Sequence, residues 1–179
     1  MKKFFVTLAI VICSTLYSFA QRFAYVDSEY ILKHIPEYSS AQKQLDALSA
    51  QWQKEVDNRF AEIDKLYKAY QADQVLLTEQ MRKRRENEII EKEKTAKEYQ
   101  KLKFGFEGDL FQQRTKLVKP IQDRVAKAVQ AVADNQGLDM IFDKNSEIML
   151  LYASPRLDKS NDVVTRLGYK PGVFTKSNQ

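Results

Sequence analysis

The chain has 179 residues, of which 44% are hydrophobic and 30% charged, and its formal net charge is +5. That length allows one or two small domains and excludes a large multidomain machine. The 5 glycines and 4 prolines leave Glu37 to Phe104 without either residue, which excludes a β-sandwich, a doubly wound α/β fold or a loop-rich enzyme across that stretch.

Residues 1–20 read as an export signal. Lys2 and Lys3 form a positive n-region, Phe4 to Ile12 is a continuous apolar run, and Ser18-Phe19-Ala20 places small residues where a signal peptidase reads. Phe4 to Ala20 is short for a bilayer span and contains Ser14, Thr15 and Ser18, so cleavage near Ala20 is expected and a membrane anchor is not. Cys13 follows Ile12, not the small residue a lipobox needs. The mature chain from Gln21 onward has no cysteine. In an oxidising compartment, packing or oligomerisation must then hold the fold in place of disulfides. Removing the signal takes Lys2 and Lys3 from the net charge but leaves the chain basic. For an exported protein, this attracts acidic polypeptides or anionic head groups; nucleic acid is not an expected partner.

Arg22 to Val26 predicts a short strand, and Asp27 or Ser28 caps a short helix over Glu29–His34 that Pro36 closes. From Glu37 the spacing is helical, with Leu45, Leu48, Trp52, Val56, Phe60, Ile63, Tyr67 and Tyr70 on one stripe. The pattern lapses at Asp73 to Leu77, and Thr78 is an N-cap candidate for a second helix. An antiparallel hairpin follows from that break, and one continuous helix through residue 75 is the competing reading. A second stripe runs through Met81, Ile89, Ala96, Tyr99, Leu102, Phe106, Leu110, Leu117, Ile121, Val125, Val129 and Val132, and Gly137 ends it. Gly105 and Gly108 interrupt this stripe, either for close packing or as a flexible point. Pro120 is expected to kink the helix.

After Gly137 the period becomes two: Asp139–Asp143 and Ile148–Tyr152 predict two strands separated by Lys144 to Glu147. Asp158-Lys159-Ser160 starts a last helix, Asn161 to Leu167, which Gly168 stops. The resulting fold class is α+β and mostly α. A long antiparallel helical hairpin spans 37–117, a discontinuous β/α body spans 21–36 and 118–168, and a flexible tail spans 169–179. Three short strands are marginal alone and leave edges exposed, so several chains are expected to pool them.

No pattern for catalysis or cofactor binding is present. His34 is the sole histidine, and HExxH, GxSxG, Walker and GxGxxG patterns are missing. Glu86, Glu88, Glu91 and Glu93 alternate with Arg84, Arg85, Lys92 and Lys94, as on a solvated helix face. The protein is therefore not expected to be an enzyme or to hold a metal or cofactor. Two features remain. Arg82, Lys83, Arg84 and Arg85 place four cations near the hairpin tip, suited to anionic lipid or an acidic client. Aromatic residues crowd the hairpin beyond what two helices enclose, and Phe60, Tyr67, Tyr70, Phe104, Phe106 and Phe111 are candidates to contact unfolded chains.

The order of elements resembles the Skp (OmpH-like) periplasmic chaperones. The resemblance rests on Ala24 to Asp27, Leu117 to Val125, Val132 to Asp143 and Asp158 to Val164, and it covers nearly the whole mature chain. It implies a soluble periplasmic homotrimer whose strands form a shared barrel. Its hairpins would enclose unfolded outer-membrane β-barrel proteins without ATP or any cofactor. An adaptor coiled coil of the cell envelope and an anionic-lipid-binding envelope protein are the alternatives. Pro120 and the long C-terminal tail depart from the family pattern.

Overall fold

The computed structural model describes residues 22–146 and 150–172. The expected export signal and the end of the tail lie outside them. In chain order the elements are strand β1 (Phe23–Val26), helix α1 (Ser28–Lys33), helices α2 (Pro36–Asp73), α3 (Glu79–Phe104) and α4 (Asp109–Gln136), strand β2 (Met140–Asp143), a 3-10 turn (Pro155–Leu157) and helix α5 (Ser160–Arg166). They form two compact units, one from residues 22–34 and 125–172, the other from 35–124.

In the second unit, Pro36 opens α2 instead of closing α1. Proline suits a first helical position because its missing N–H would have no partner there. The hairpin is formed, and the continuous helix through residue 75 is not. Helix α2 ends at Asp73, Leu76 N–H donates to the Asp73 carbonyl (2.8 Å), and Thr78 adopts extended geometry while its hydroxyl accepts from Met81 N–H. Cross-hairpin pairs fix the antiparallel register. Tyr70 donates to Glu86, Lys92 pairs with Glu62 (2.8 Å) and Tyr99 donates to Glu55, so partners grow more distant in sequence away from the turn.

Val56, Ile63 and Tyr70 of α2 and Ile89 and Ala96 of α3 are buried, one residue every two turns. A single partner helix covers only this narrow coiled-coil seam. Leu66 packs against the seam beside Ile63, whereas Tyr67, on the predicted stripe, lies outside it and is half exposed.

The second predicted stripe is not one helix. α3 stops at Phe104 and α4 starts at Asp109. Gly105 takes an extended conformation and Glu107 a left-handed one at φ 53. A Cβ on Gly105 would lie 2.3 Å from the Lys101 carbonyl oxygen, and one on Gly108 would lie 2.7 Å from that of Leu102. Both glycines are thus required by close backbone approach within the break, not by packing inside an unbroken helix. Lys103 bridges the break to Asp109 at 2.5 Å. Its ammonium lies over the rings of Trp52 and Tyr99, and Trp52 meets Phe104 edge-on. Pro120, by contrast, does not interrupt α4. An interior proline forfeits one intrahelical hydrogen bond and crowds the carbonyl four residues earlier, yet the helix runs through it. Val118, Ile121, Val125, Ala128 and Val132 continue a buried stripe along α4.

In the first unit, β1 pairs in parallel with β2, from Phe23 opposite Met140 to Val26 opposite Asp143. On its other side β1 makes a single bridge, Tyr25 to Asp158. The second predicted strand begins outside the described residues, and its described part, residues 150–152, is not a strand. Ala24 and Val26 are buried with Ile31 of α1 and Val163 and Val164 of α5. Asp27 ties the unit together. Its N–H donates to Ser160 Oγ (2.8 Å). Its carboxylate accepts from Tyr30 N–H (2.9 Å) and Asn145 Nδ2 (2.6 Å) and pairs with Lys144 (2.8 Å). α4 and α5 both end in Schellman turns, in which Gly137 and Gly168 supply the left-handed residue.

Candidate functional site

Two surfaces carry the features expected of a binding protein, one in each unit. Along the hairpin the seam is buried and the remainder is mostly charged. Against that background several apolar groups face solvent: Tyr67, Ile90, Leu102, Phe111 and, at the break, Phe106, which is 97% exposed. The left-handed turn at Glu107 holds Phe106 outward, while Phe104, two residues earlier, folds back on Trp52.

The six aromatic candidates therefore divide. Phe106, Phe111 and Tyr67 are exposed. Phe60 and Phe104 are partly buried against neighbouring side chains, and Tyr70 sits in the seam with its hydroxyl on Glu86. Leu102 and Ile90, which are not aromatic, are exposed as well. Ile90 was legible, because Ile89 and Ile90 are adjacent and a narrow seam takes only one of them.

At the turn, Val75 and Leu76 are 92% and 85% exposed, and Met81 is half exposed. Arg82, Lys83 and Arg84 follow on the exposed surface of α3 and Arg85 is half buried; Lys83 pairs with Glu79 at 3.3 Å. The tip thus presents two aliphatic side chains beside a cationic turn.

Hydrogen bonding sets the hairpin's titration. The Tyr99 hydroxyl and the Gln51 amide hold Glu55 below the usual carboxylate range, and Tyr99 is raised above an ordinary phenol because Glu55 accepts its proton. Lys92 lowers Glu62 and is itself raised. These are opposite-charge and hydrogen-bond effects at the surface. They stabilise the ionised carboxylates and create no poised acid or base.

The second surface is in the first unit. Phe23, Tyr25 and Phe142 of the sheet, with Leu150, Tyr152 and Leu157, line an apolar groove of about 320 Å³. Leu151 beside it is 90% exposed, and Met140 is half exposed. The alternation of β1 explains this face: Ala24 and Val26 point into the core, leaving Phe23 and Tyr25 on the other side.

Among the described residues no group of His, Asp or Glu is arranged to hold a metal ion, and no helix is long and apolar enough to cross a membrane. The chain is a mostly helical protein that combines a long antiparallel hairpin with a small two-stranded β element. It belongs to the OmpH-like outer membrane protein family, whose model matches residues 22–167. It is 26% identical over 167 residues to an uncharacterised protein of Aquifex aeolicus (strain VF5), covering 93% of this chain and 96% of that one. It also shares its fold with the crystal structure of a candidate outer membrane chaperone (OmpH-like) from Caulobacter crescentus CB15. The TM-score is 0.62 and the identity 16%, with 89% of this chain and 92% of that one covered.

Proposed function

We propose that the protein is an ATP-independent periplasmic holdase that binds unfolded outer-membrane β-barrel proteins and prevents their aggregation. The OmpH-like family is a chaperone family. The observation that carries the finer reading is the scatter of exposed apolar side chains, Tyr67, Ile90, Leu102, Phe106 and Phe111, along an otherwise charged hairpin. Each offers a weak contact, and many weak contacts over a long surface hold an unfolded chain without selecting one sequence. A client that folds into a membrane withdraws those contacts, so release needs no energy source.

In this reading residues 37–117 form the client-binding arm, and 21–36 with 118–168 form the assembly body of a homotrimer. Residues 1–20 are removed on export, and 169–179 form a tail. The apolar groove between Phe23, Phe142 and Tyr152 supports self-association, because the described residues leave it uncovered. Light scattering of the mature chain, alone and mixed with a urea-diluted outer-membrane barrel, tests both points. The expected result is a trimer that keeps the barrel soluble. Replacing Leu102, Phe106 and Phe111 by serine should leave the trimer mass unchanged and weaken that protection severalfold. A monomer with the barrel precipitating untouched would point instead to an adaptor coiled coil.

A second reading, contact with an anionic lipid surface, is supported by Val75 and Leu76 beside Arg82 to Arg85. Each cation near such a surface contributes about 1 kcal/mol. Vesicles containing anionic lipid should then bind in a salt-sensitive way, and neutralising the four side chains should abolish binding while client protection persists. Equal binding to neutral vesicles would exclude the electrostatic contact.

A further inference from the structure

His34 is 1% exposed, and both of its ring nitrogens are engaged. Nδ1 lies 2.8 Å from the Tyr30 carbonyl oxygen, which only accepts, so Nδ1 carries a proton. Nε2 lies 3.1 Å from the backbone nitrogen of Gly172, which only donates, so Nε2 must present its lone pair. One form satisfies both contacts: the neutral imidazole protonated at Nδ1. The Tyr30 ring packs on the imidazole with centroids 4.4 Å apart. The Tyr30 hydroxyl accepts a share of the same Gly172 N–H (3.1 Å) and donates to Asn161 Oδ1 on α5 (2.8 Å). Tyr30 of α1 and His34 at its C-cap thus meet the Gly172 N–H, and Asn161 of α5 holds the Tyr30 hydroxyl.

We infer that His34 is a proton-sensitive latch fastening residues 169–172 onto α1. A second proton on the imidazole would go to Nε2 and set an N–H against the Gly172 N–H, turning the contact from attractive to repulsive. Within the segment, Tyr169 N–H completes the Schellman turn on Val164 (3.0 Å), and Gly172 N–H donates to Tyr30 and His34. The other titratable groups on the packed elements are Tyr30, Glu29 and Lys33 on α1, Asp162 and Arg166 on α5, and Tyr169 and Lys170 on the segment. Glu29 and Lys33 pair with each other (2.6 Å), and Asp162 accepts from Gln136 (2.8 Å). The device concerns the tail, separate from the client-binding reading of the hairpin.

The test is an NMR pH titration of the intact mature chain. It follows the His34 ring and the Gly172 amide, with hydrogen exchange corrected for the intrinsic pH dependence. Gly172 protection is expected to fall about tenfold in the same pH step in which the ring titrates, as for one lost hydrogen bond. In His34→Gln, whose side-chain oxygen can accept from Gly172 without titrating, protection should stay level through that step. Gly172 protection that does not change while the ring titrates overturns the latch. So does the same step in His34→Gln, which would assign it to another group such as Asp162.

Discussion

Gly105→Ala is expected to destabilise the hairpin by roughly 1–3 kcal/mol, the range for forcing extra atoms into a packed site. The added methyl would fall 2.3 Å from the Lys101 carbonyl oxygen, which already accepts the Gly105 N–H at 2.8 Å, so neither group can yield without opening the end of α3. Gly108→Ala should behave similarly, since its methyl would meet the Leu102 carbonyl oxygen at 2.7 Å. Glu107→Gly is the contrasting variant. Its φ of 53 is left-handed, where glycine has no steric penalty, so this change should be neutral or stabilising by about 0.5–1 kcal/mol. The single Trp52 packs on Phe104 and under Lys103 beside the break, so its emission in urea titrations reports the region directly. Alanine variants as stable as the parent would show that the break tolerates a side chain and that the two glycines are incidental.

Asp27→Ala should remove about 2–3 kcal/mol, because one carboxylate serves as helix cap and cross-link at once. It caps α1 through Tyr30 N–H and also holds Lys144 and Asn145, more than a hundred residues away in sequence. The same residue predicts a pH dependence. Burial alone pushes its carboxyl upward, but the hydrogen bonds from Lys144, Tyr30 N–H and Asn145, with the Lys144 charge, together outweigh it and leave it below the ordinary 3.8. A carboxyl lowered by folding contributes stability above its unfolded value and loses it as pH falls through the folded one. Thermal melts should therefore show the wild type losing stability below about pH 4 more steeply than Asp27→Asn, which keeps a capping oxygen but no charge. Parallel profiles for the two proteins would mean that the Lys144 contact contributes nothing to acid stability.

The hairpin was legible because its signals are local. Thr78 at the cap and the apolar spacing of Val56, Ile63 and Tyr70 each act within one or two turns, whereas Pro36, expected to close α1, opens α2. The break at residues 105–108 was half legible. The two glycines marked the place, but their spacing lets an apolar stripe pass straight through from Leu102 to Leu110. Only the backbone itself, with Gly105 extended and Glu107 left-handed, shows that the helix stops there. Exposure along the hairpin was also only partly legible. Aromatic residues attract attention in a sequence, yet Tyr70 is consumed by the seam while Leu102, Ile90, Val75 and Leu76 remain outside.

The sequence by itself determined the helical hairpin, its turn, the short strand at Phe23–Val26 and the lack of any catalytic pattern, since periodicity, caps and residue inventory need no knowledge of distant contacts. Tertiary structure alone decided that β1 pairs in parallel with β2, that Asp27 gathers Lys144, Asn145 and Ser160, and that His34 holds Gly172. Each of these joins groups more than a hundred residues apart, and a hydrogen bond at 2.6–3.1 Å across that separation leaves no periodic trace in the chain that makes it.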